Sequence, residues 1–148
     1  MSRNEPTIRT RRRAARGRRR EGQSLVEFAV VLPVFLLVLA GIVDFGLGLY
    51  SQMTVINAAR EGARLGVVDP KDTAGITARV DAMAGGLDKS QLVINVNCKK
   101  PSGSGIACSV ADEGDSVVVQ VNYTYRLIWP LALGNSLGLS STVQMRIE

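Results

Sequence analysis

The sequence predicts an α+β protein with a single N-terminal transmembrane helix that extends into a small exported domain. Two observations predict this class. An apolar stretch from Leu25 to Tyr50 follows an arginine-rich leader. The residues beyond it show a short helical pattern and then about three stretches typical of antiparallel strands. We therefore divide the chain into a basic cytoplasmic leader that is a candidate for cleavage (1–22), a transmembrane helix (23–50) and an exported α+β domain (51–148).

The apolar stretch is long enough to cross a bilayer. Twelve of the sixteen uncharged residues from Phe28 to Val43 are Leu, Ile, Val or Phe, and they supply about 5 kcal/mol in favour of insertion. This run spans only about 24 Å, whereas Leu25 to Leu49 spans about 37 Å, enough to cross with tilt. Glu27 and Asp44 then lie near opposite faces of the hydrocarbon core, where two acids in one span are tolerable.

The leader carries the positive charge of the protein. Residues 1–22 hold nine Arg against two Glu, a balance of +7, while the remainder holds nine Lys or Arg against eleven Asp or Glu, a balance of −2. We expect this segment to lack regular structure in isolation. Arginines beside a first span hold the N-terminus in the cytoplasm and attract anionic lipid. The alternative is phosphate contact with nucleic acid, but no aromatic residue is interleaved, and we expect no nucleic-acid partner.

A distinctive pattern joins the leader to the helix. The junction reads Gly22-Gln23-Ser24-Leu25-Val26-Glu27-Phe28, a Gly after a basic leader, then four residues, a Glu and an aromatic. Further matching positions follow along the helix: Ala29, Leu32-Pro33, Gly41-Ile42-Val43-Asp44-Phe45-Gly46 and Asn57-Ala58-Ala59-Arg60-Glu61-Gly62-Ala63-Arg64. The junction resembles a type IV prepilin processing site. The stretch from about Arg19 to Gly66 resembles the TadE family, minor pilin-like proteins of the tight-adherence (Flp) pilus and secretion system.

The resemblance implies a processing step and an assembly step. A prepilin peptidase would cut after Gly22 and leave Gln23 as the new N-terminus. Glu27 would then meet the new N-terminal amine of a neighbouring subunit. Phe28 departs from the pilus motif, which often has Tyr there. Two alternatives stay open: Glu27 serves only as an acid in the first turn of a helix, near its positive dipole end, or a signal peptidase cuts after Val38-Leu39-Ala40.

Small residues line one face of the helix and of its continuation. Steps of 100° per residue place the following within about 60° of Asp44: Ala40, Gly41, Gly48, Ser51, Ala58, Gly62 and Gly66. Such a face lets another helix approach closely. Below about Ser51 we expect it to pack against pilin-like subunits or membrane assembly proteins, and above that point against the protein's own domain. The predicted assembly residues are therefore Gly41, Gly48 and Asp44 on this face, together with Glu27, whose role the resemblance implies.

The exported domain is predicted to hold a short helix and a small antiparallel sheet. The helical pattern covers Thr73 to Leu87, after Asp69-Pro70 has ended the long helix. The predicted strands are Leu92–Cys98, Val117–Tyr125 and Ser141–Ile147. The connection from Trp129 to Leu133 is hydrophobic, and it either packs under the sheet or dips towards the membrane.

Two cysteines flank a polar loop in this domain. Cys98 and Cys108 enclose Lys99 to Ala107, which contains two glycines. An exported compartment permits a disulfide between them, which would contribute about 2 to 3 kcal/mol. The alternative is two free thiols.

The composition argues against an enzyme. The chain has no histidine, which removes the usual general base, the commonest metal ligand and every Ser-His or Cys-His nucleophile. Two cysteines cannot build a zinc site unaided, and we assign no catalytic, metal or cofactor residue. We therefore expect a non-enzymatic pilin-like protein (a minor pilin or pseudopilin) in the cytoplasmic membrane, with a prepilin peptidase, other subunits and membrane lipid as partners. The alternative is an exported binding module tethered by an uncleaved N-terminal anchor.

Overall fold

The computed structural model describes residues 11–129 and 134–148, with side chains from residue 22 onward. The described residues form two α-helices and four strands: α1 (Arg11–Val68), α2 (Thr73–Met83), β1 (Leu92–Lys99), β2 (Gly105–Ile106), β3 (Ser116–Arg126) and β4 (Ser136–Arg146). These elements confirm the predicted α+β class. The chain divides into two compact units within α1, after Ile42.

The first unit consists of the N-terminal part of α1. The helix begins at Arg11, inside the leader that the sequence predicted to lack regular structure. Arg and Ala are strong helix formers, and adding residues to a helix already nucleated at its apolar part costs little. The helix continues through Pro33.

This part of α1 presents apolar side chains on all sides. Residues 22–39 are all exposed, and the span found within Gly22–Val68 is long and apolar enough to cross a membrane. A helix that is hydrophobic all round needs lipid or other protein to cover it. The structure therefore supports the predicted membrane helix.

The second unit contains an antiparallel sheet in the order β2-β1-β3-β4. β3 is central: it pairs with β1 from Lys99–Ser116 to Leu92–Tyr123, and with β4 along its full length. Three strands agree with the prediction, although β4 begins earlier, at Ser136. The two-residue strand β2 was missed, because a stretch that short shows no alternation to recognise.

α1 runs antiparallel to β3 across one face of the sheet. A Cβ added at Gly48 would lie 3.9 Å from Tyr125 Cε1, and one added at Gly66 would lie 2.7 Å from Val117 Cγ1. Gly48 and Gly66 are about 27 Å apart along a helix, and Tyr125 and Val117 are about 26 Å apart along a strand. The two elements therefore stay in contact over nearly the whole of β3.

Small residues on α1 make this contact close. Ala58, Ala59 and Ala63 are fully buried, and a Cβ at Gly62 would collide with Val80 Cγ2 of α2. Valine side chains of β3 and the buried residues of α2 complete the core: Val117, Val119, Val121, Ile76 and Val80. The part of the small-residue face above Ser51 therefore packs on the protein's own domain, as predicted.

The predicted disulfide is confirmed. Cys98 and Cys108 are bonded, with Cα atoms 5.1 Å apart. Cys98 pairs with Val117 across the sheet, at the end of β3 that lies beside Gly66. The bond therefore fastens the β1–β2 loop at the end of the sheet farthest from Gly48.

Candidate assembly site

The predicted processing junction lies on the exposed surface of α1. A Cβ added at Gly22 would meet nothing within 4 Å. Gln23 Nε2 donates a hydrogen bond to Glu27 Oε1 at 3.2 Å, so these two residues lie one helical turn apart on the same face. Among the side chains that the structure describes, no cation forms an ion pair with Glu27. Its charge can therefore pair with a group from another molecule.

Gly41 lies on an open face of α1. It is exposed, and an added Cβ would have no neighbour within 4 Å. The same is true of Gly46. Both positions leave room for the close approach of another helix.

Asp44, in contrast, is buried and accepts three hydrogen bonds. Its exposure is 6%, and from residue 22 onward it is the first buried residue of α1. Tyr125 Oη donates to Oδ1 at 2.7 Å, Ile128 N donates to Oδ1 at 3.2 Å, and Trp129 N donates to Oδ2 at 3.0 Å. We call these four residues the Asp44 cluster.

The end of β3 positions the three donors. Tyr125 is the last residue but one of the strand, and Leu127 N donates to Asn135 O at 3.1 Å as the chain leaves the sheet. The next two N–H groups then have no strand partner, and a buried N–H without a partner is costly. The Asp44 carboxylate accepts both.

The cluster also fixes the protonation of Tyr125. Burial raises the pKa of this phenol to about 12, and the hydrogen bond to the Asp44 carboxylate and its negative charge add to the rise. The phenol therefore remains a hydrogen-bond donor over the whole physiological pH range.

Gly48 is buried beside the same tyrosine. α1 thus begins to pack on its own domain at Asp44, below the predicted boundary near Ser51. Asp44 and Gly48 face this chain's own residues, and their predicted role in assembly stays a prediction. Gly41 and Glu27 are the predicted assembly residues that remain exposed.

Sequence reasoning missed the partners of Asp44. A signal was available, because an acid within a membrane helix requires a polar partner. The strand that supplies Tyr125 was predicted, but its pairing with α1 was not. Of the connection that begins at Trp129, residues 130–133 lie outside the described residues, while the side chain of Trp129 is 56% exposed.

Among the side chains of residues 22–129 and 134–148, no group of three or more Cys, Asp or Glu could hold a metal ion.

The region around these residues is similar to a known protein family. The model of the TadE-like protein family matches residues 22–64, which confirms the resemblance found in the sequence. The match includes the junction, Glu27, Gly41 and Asp44, and it ends before α2 and the sheet. No curated protein and no solved structure matches the chain.

Proposed function

We propose that this protein is a non-enzymatic, membrane-anchored, pilin-like protein of a TadE-type pilus or secretion assembly system. One observation carries the proposal: Gly22 and Glu27 stand five residues apart where the exposed apolar part of α1 begins, within the region that matches the TadE-like family. The match relates the chain to pilus assembly, and the specific pilin-like role is our inference.

Processing is the first step of the proposed function. A prepilin peptidase removes residues 1–22 at the cytoplasmic face. Glycine is a poor helix former, about 1 kcal/mol worse than alanine, so Gly22 weakens α1 where the peptidase must open it. Without a side chain, it also lets the backbone approach the enzyme closely.

Assembly is the second step. Cleavage creates a cationic amine at Gln23, beside the membrane boundary. Glu27 pairs with the corresponding amine of a neighbouring subunit, and the pair is stronger in the low-dielectric boundary than in water. The open face at Gly41 lets the two helices approach.

The orientation follows from the charge of the leader. The balance of +7 in residues 1–22 holds the N-terminus of the precursor in the cytoplasm, and the sheet domain lies outside the cytoplasmic membrane. The Cys98–Cys108 disulfide supports this orientation, since such bonds persist in oxidising compartments.

Cross-linking between subunits tests the assembly role of Glu27. The protein is expressed with its secretion locus, and the yield of cross-linked dimers is compared between wild type and Glu27→Gln. We expect a loss of about tenfold or more, which corresponds to roughly 1.4 kcal/mol of association. Glu61→Gln is the matched control, because Glu61 is also an acid on α1 but pairs with Arg79 of its own domain at 3.2 Å.

The result separates the proposal from a tethered binding module. A selective loss in Glu27→Gln supports pilin-like assembly. Equal yields of cross-linked dimers in wild type and both variants would show that Glu27 has no part in subunit contact.

A further inference from the structure

We propose that the turn at Ile128 and Trp129 is a membrane-interface anchor. The Asp44 carboxylate holds the backbone of this turn at the outer end of the span. The side chains of Ile128 and Trp129 enter the headgroup region and the upper acyl region of the bilayer. This inference rests on the proposed function only in requiring that α1 crosses the membrane.

The length of the uncharged run places Asp44 at the membrane boundary. Phe28 to Val43 covers about 24 Å, against a hydrocarbon core of about 30 Å, so about four more residues are needed. A core that starts beside Glu27 reaches Leu47 and includes Asp44. Phe45, at 69% exposure, and Leu47, at 41%, continue the apolar surface past the acid.

The hydrogen bonds of the turn make it compatible with lipid. Backbone at membrane depth is tolerated only where its polar groups have partners. Three consecutive N–H groups are satisfied here: Leu127 N by Asn135 O at 3.1 Å, and those of Ile128 and Trp129 by Asp44. The same hydrogen bonds give the Asp44 carboxylate its partners. The N–H groups and the carboxylate therefore offset the free-energy cost of moving each other out of water.

The side chains of the turn point away from the core. Ile128 is 58% exposed and Trp129 is 56% exposed. A hairpin connection is normally polar, so two large apolar side chains in this place indicate a non-aqueous neighbour. Tryptophan favours the membrane–water interface, because its ring is largely apolar while its N–H needs a partner.

Continuity with the span identifies lipid as that neighbour. The two side chains belong to a turn bonded to the first charged residue after the apolar run of α1. A bilayer that covers this run ends near Asp44, the next residue of the chain, and Asp44 bonds the turn. Arg126, the last residue of β3, is exposed, and its charge suits a lipid phosphate at the same level.

Fluorescence of the full chain in lipid vesicles tests the proposal. Trp129 is the single tryptophan, so emission reports this site alone. The protein is reconstituted in phosphatidylcholine–phosphatidylglycerol vesicles that carry a nitroxide at the headgroup, high in the acyl chain or near the bilayer centre. We expect blue-shifted emission, with the strongest quenching from the headgroup and upper-chain nitroxides and little quenching by aqueous iodide.

A relocated tryptophan provides the control. Val110 is 63% exposed and follows Cys108, at the opposite end of the sheet. In Trp129→Phe/Val110→Trp, the iodide quenching constant should be at least about threefold larger than in wild type, because an interfacial ring is shielded from water. Equal iodide access in the two proteins would overturn the anchor. So would shielding of Trp129 from both iodide and every lipid nitroxide, which would mean that another protein covers the turn.

A second variant tests the holding role of Asp44. Asp44→Asn keeps one acceptor oxygen but loses the other, so the turn should loosen and the quenching of Trp129 by upper-chain nitroxide should fall at least about twofold. An unchanged profile would overturn that role. Formation of the Cys98–Cys108 disulfide confirms that the variant is folded.

Alkaline carbonate extraction separates failure of the inference from failure of the proposed function. Release of wild-type protein from membranes would show that α1 is not a span. Retention, together with a fully water-exposed Trp129, would overturn the anchor alone.

Discussion

At the scale of single residues, Asp44 is buried and held by three hydrogen bonds. It lies on a helix next to a run of apolar residues, yet it accepts three hydrogen bonds from the end of β3. A carboxylate that is left with fewer partners in this environment is costly. The Asp44 cluster therefore fastens α1 to the end of β3.

Tyr125 provides a measurable signature of this cluster. Its pKa is raised to about 12, from a reference value of 10.0. The folded state holds the phenolic proton more tightly than the unfolded state. Its contribution to stability is therefore complete below about pH 10 and is lost as the pH rises from about 10 to 12.

Spectroscopic titration of the full chain in detergent checks this prediction. Absorbance at the tyrosinate band should show one phenol that ionises near pH 12, and Tyr125→Phe should remove that step. The same variant should destabilise the domain by about 1.5 kcal/mol, because a hydrogen bond to a charged group is lost. Tyr50→Phe is the control, since Tyr50 does not bond Asp44. If the late step survives in Tyr125→Phe, the hydrogen bond to Asp44 is not formed.

The cluster also shows why sequence reasoning found only part of the site. Glu27, Gly41 and Asp44 could be predicted from the sequence, because their spacing along the helix and the apolar residues around them are local patterns. Tyr125 lies 81 residues from Asp44 in sequence, and no local pattern encodes such a pairing. Ile128 and Trp129 donate through backbone N–H groups, which nearly every residue type has, so the residue types do not reveal these two hydrogen bonds.

At the scale of elements, the small-residue face of α1 has an open part and a filled part. Near Gly41 the face is open, whereas at Gly62 and Gly66 it is filled by side chains of α2 and β3. The periodicity of the helices and of the three longer strands, β1, β3 and β4, was readable from the sequence. The placement of α1 along β3 was not, because it depends on which glycines meet a neighbour and which do not.

Alanine substitutions distinguish the filled part of this face from the open part. Gly62→Ala should gain about 1 kcal/mol of helix propensity but lose more to overpacking, because the new methyl collides with Val80. Overpacking of a filled core typically costs 1 to 3 kcal/mol, so we expect a net loss of up to about 2 kcal/mol. Denaturant unfolding of the sheet domain, followed by circular dichroism, measures this.

Gly41→Ala is the matched substitution on the open part of the face. An added Cβ there meets nothing within 4 Å, so domain stability should be unchanged. The yield of cross-linked subunits should fall, because glycine has no side chain at this position and the added methyl group keeps the two helices apart. Equal destabilisation by Gly41→Ala and Gly62→Ala would contradict this division of α1.

At the scale of the whole molecule, the two units differ in what stabilises them. Residues up to Ile42 form an exposed apolar helix, whereas residues from Val43 onward enclose their own core and a disulfide. The first unit exposes apolar side chains that lipid or other protein must cover, whereas the second folds around α2 and the sheet. This contrast is typical of a protein that is anchored in a membrane and presents a domain outside it.

The mature mass of the protein tests the central claim most directly. The full chain is expressed with an active prepilin peptidase, and the membrane-bound product is measured by intact mass spectrometry. We predict the loss of residues 1–22 and a new N-terminus at Gln23. Gly22→Val should retain the leader, whereas the control Gly17→Val, which alters another leader glycine, should be cut normally. An intact leader in the wild-type protein would contradict the account, and a product that begins at Gly41 would show a secretory signal instead.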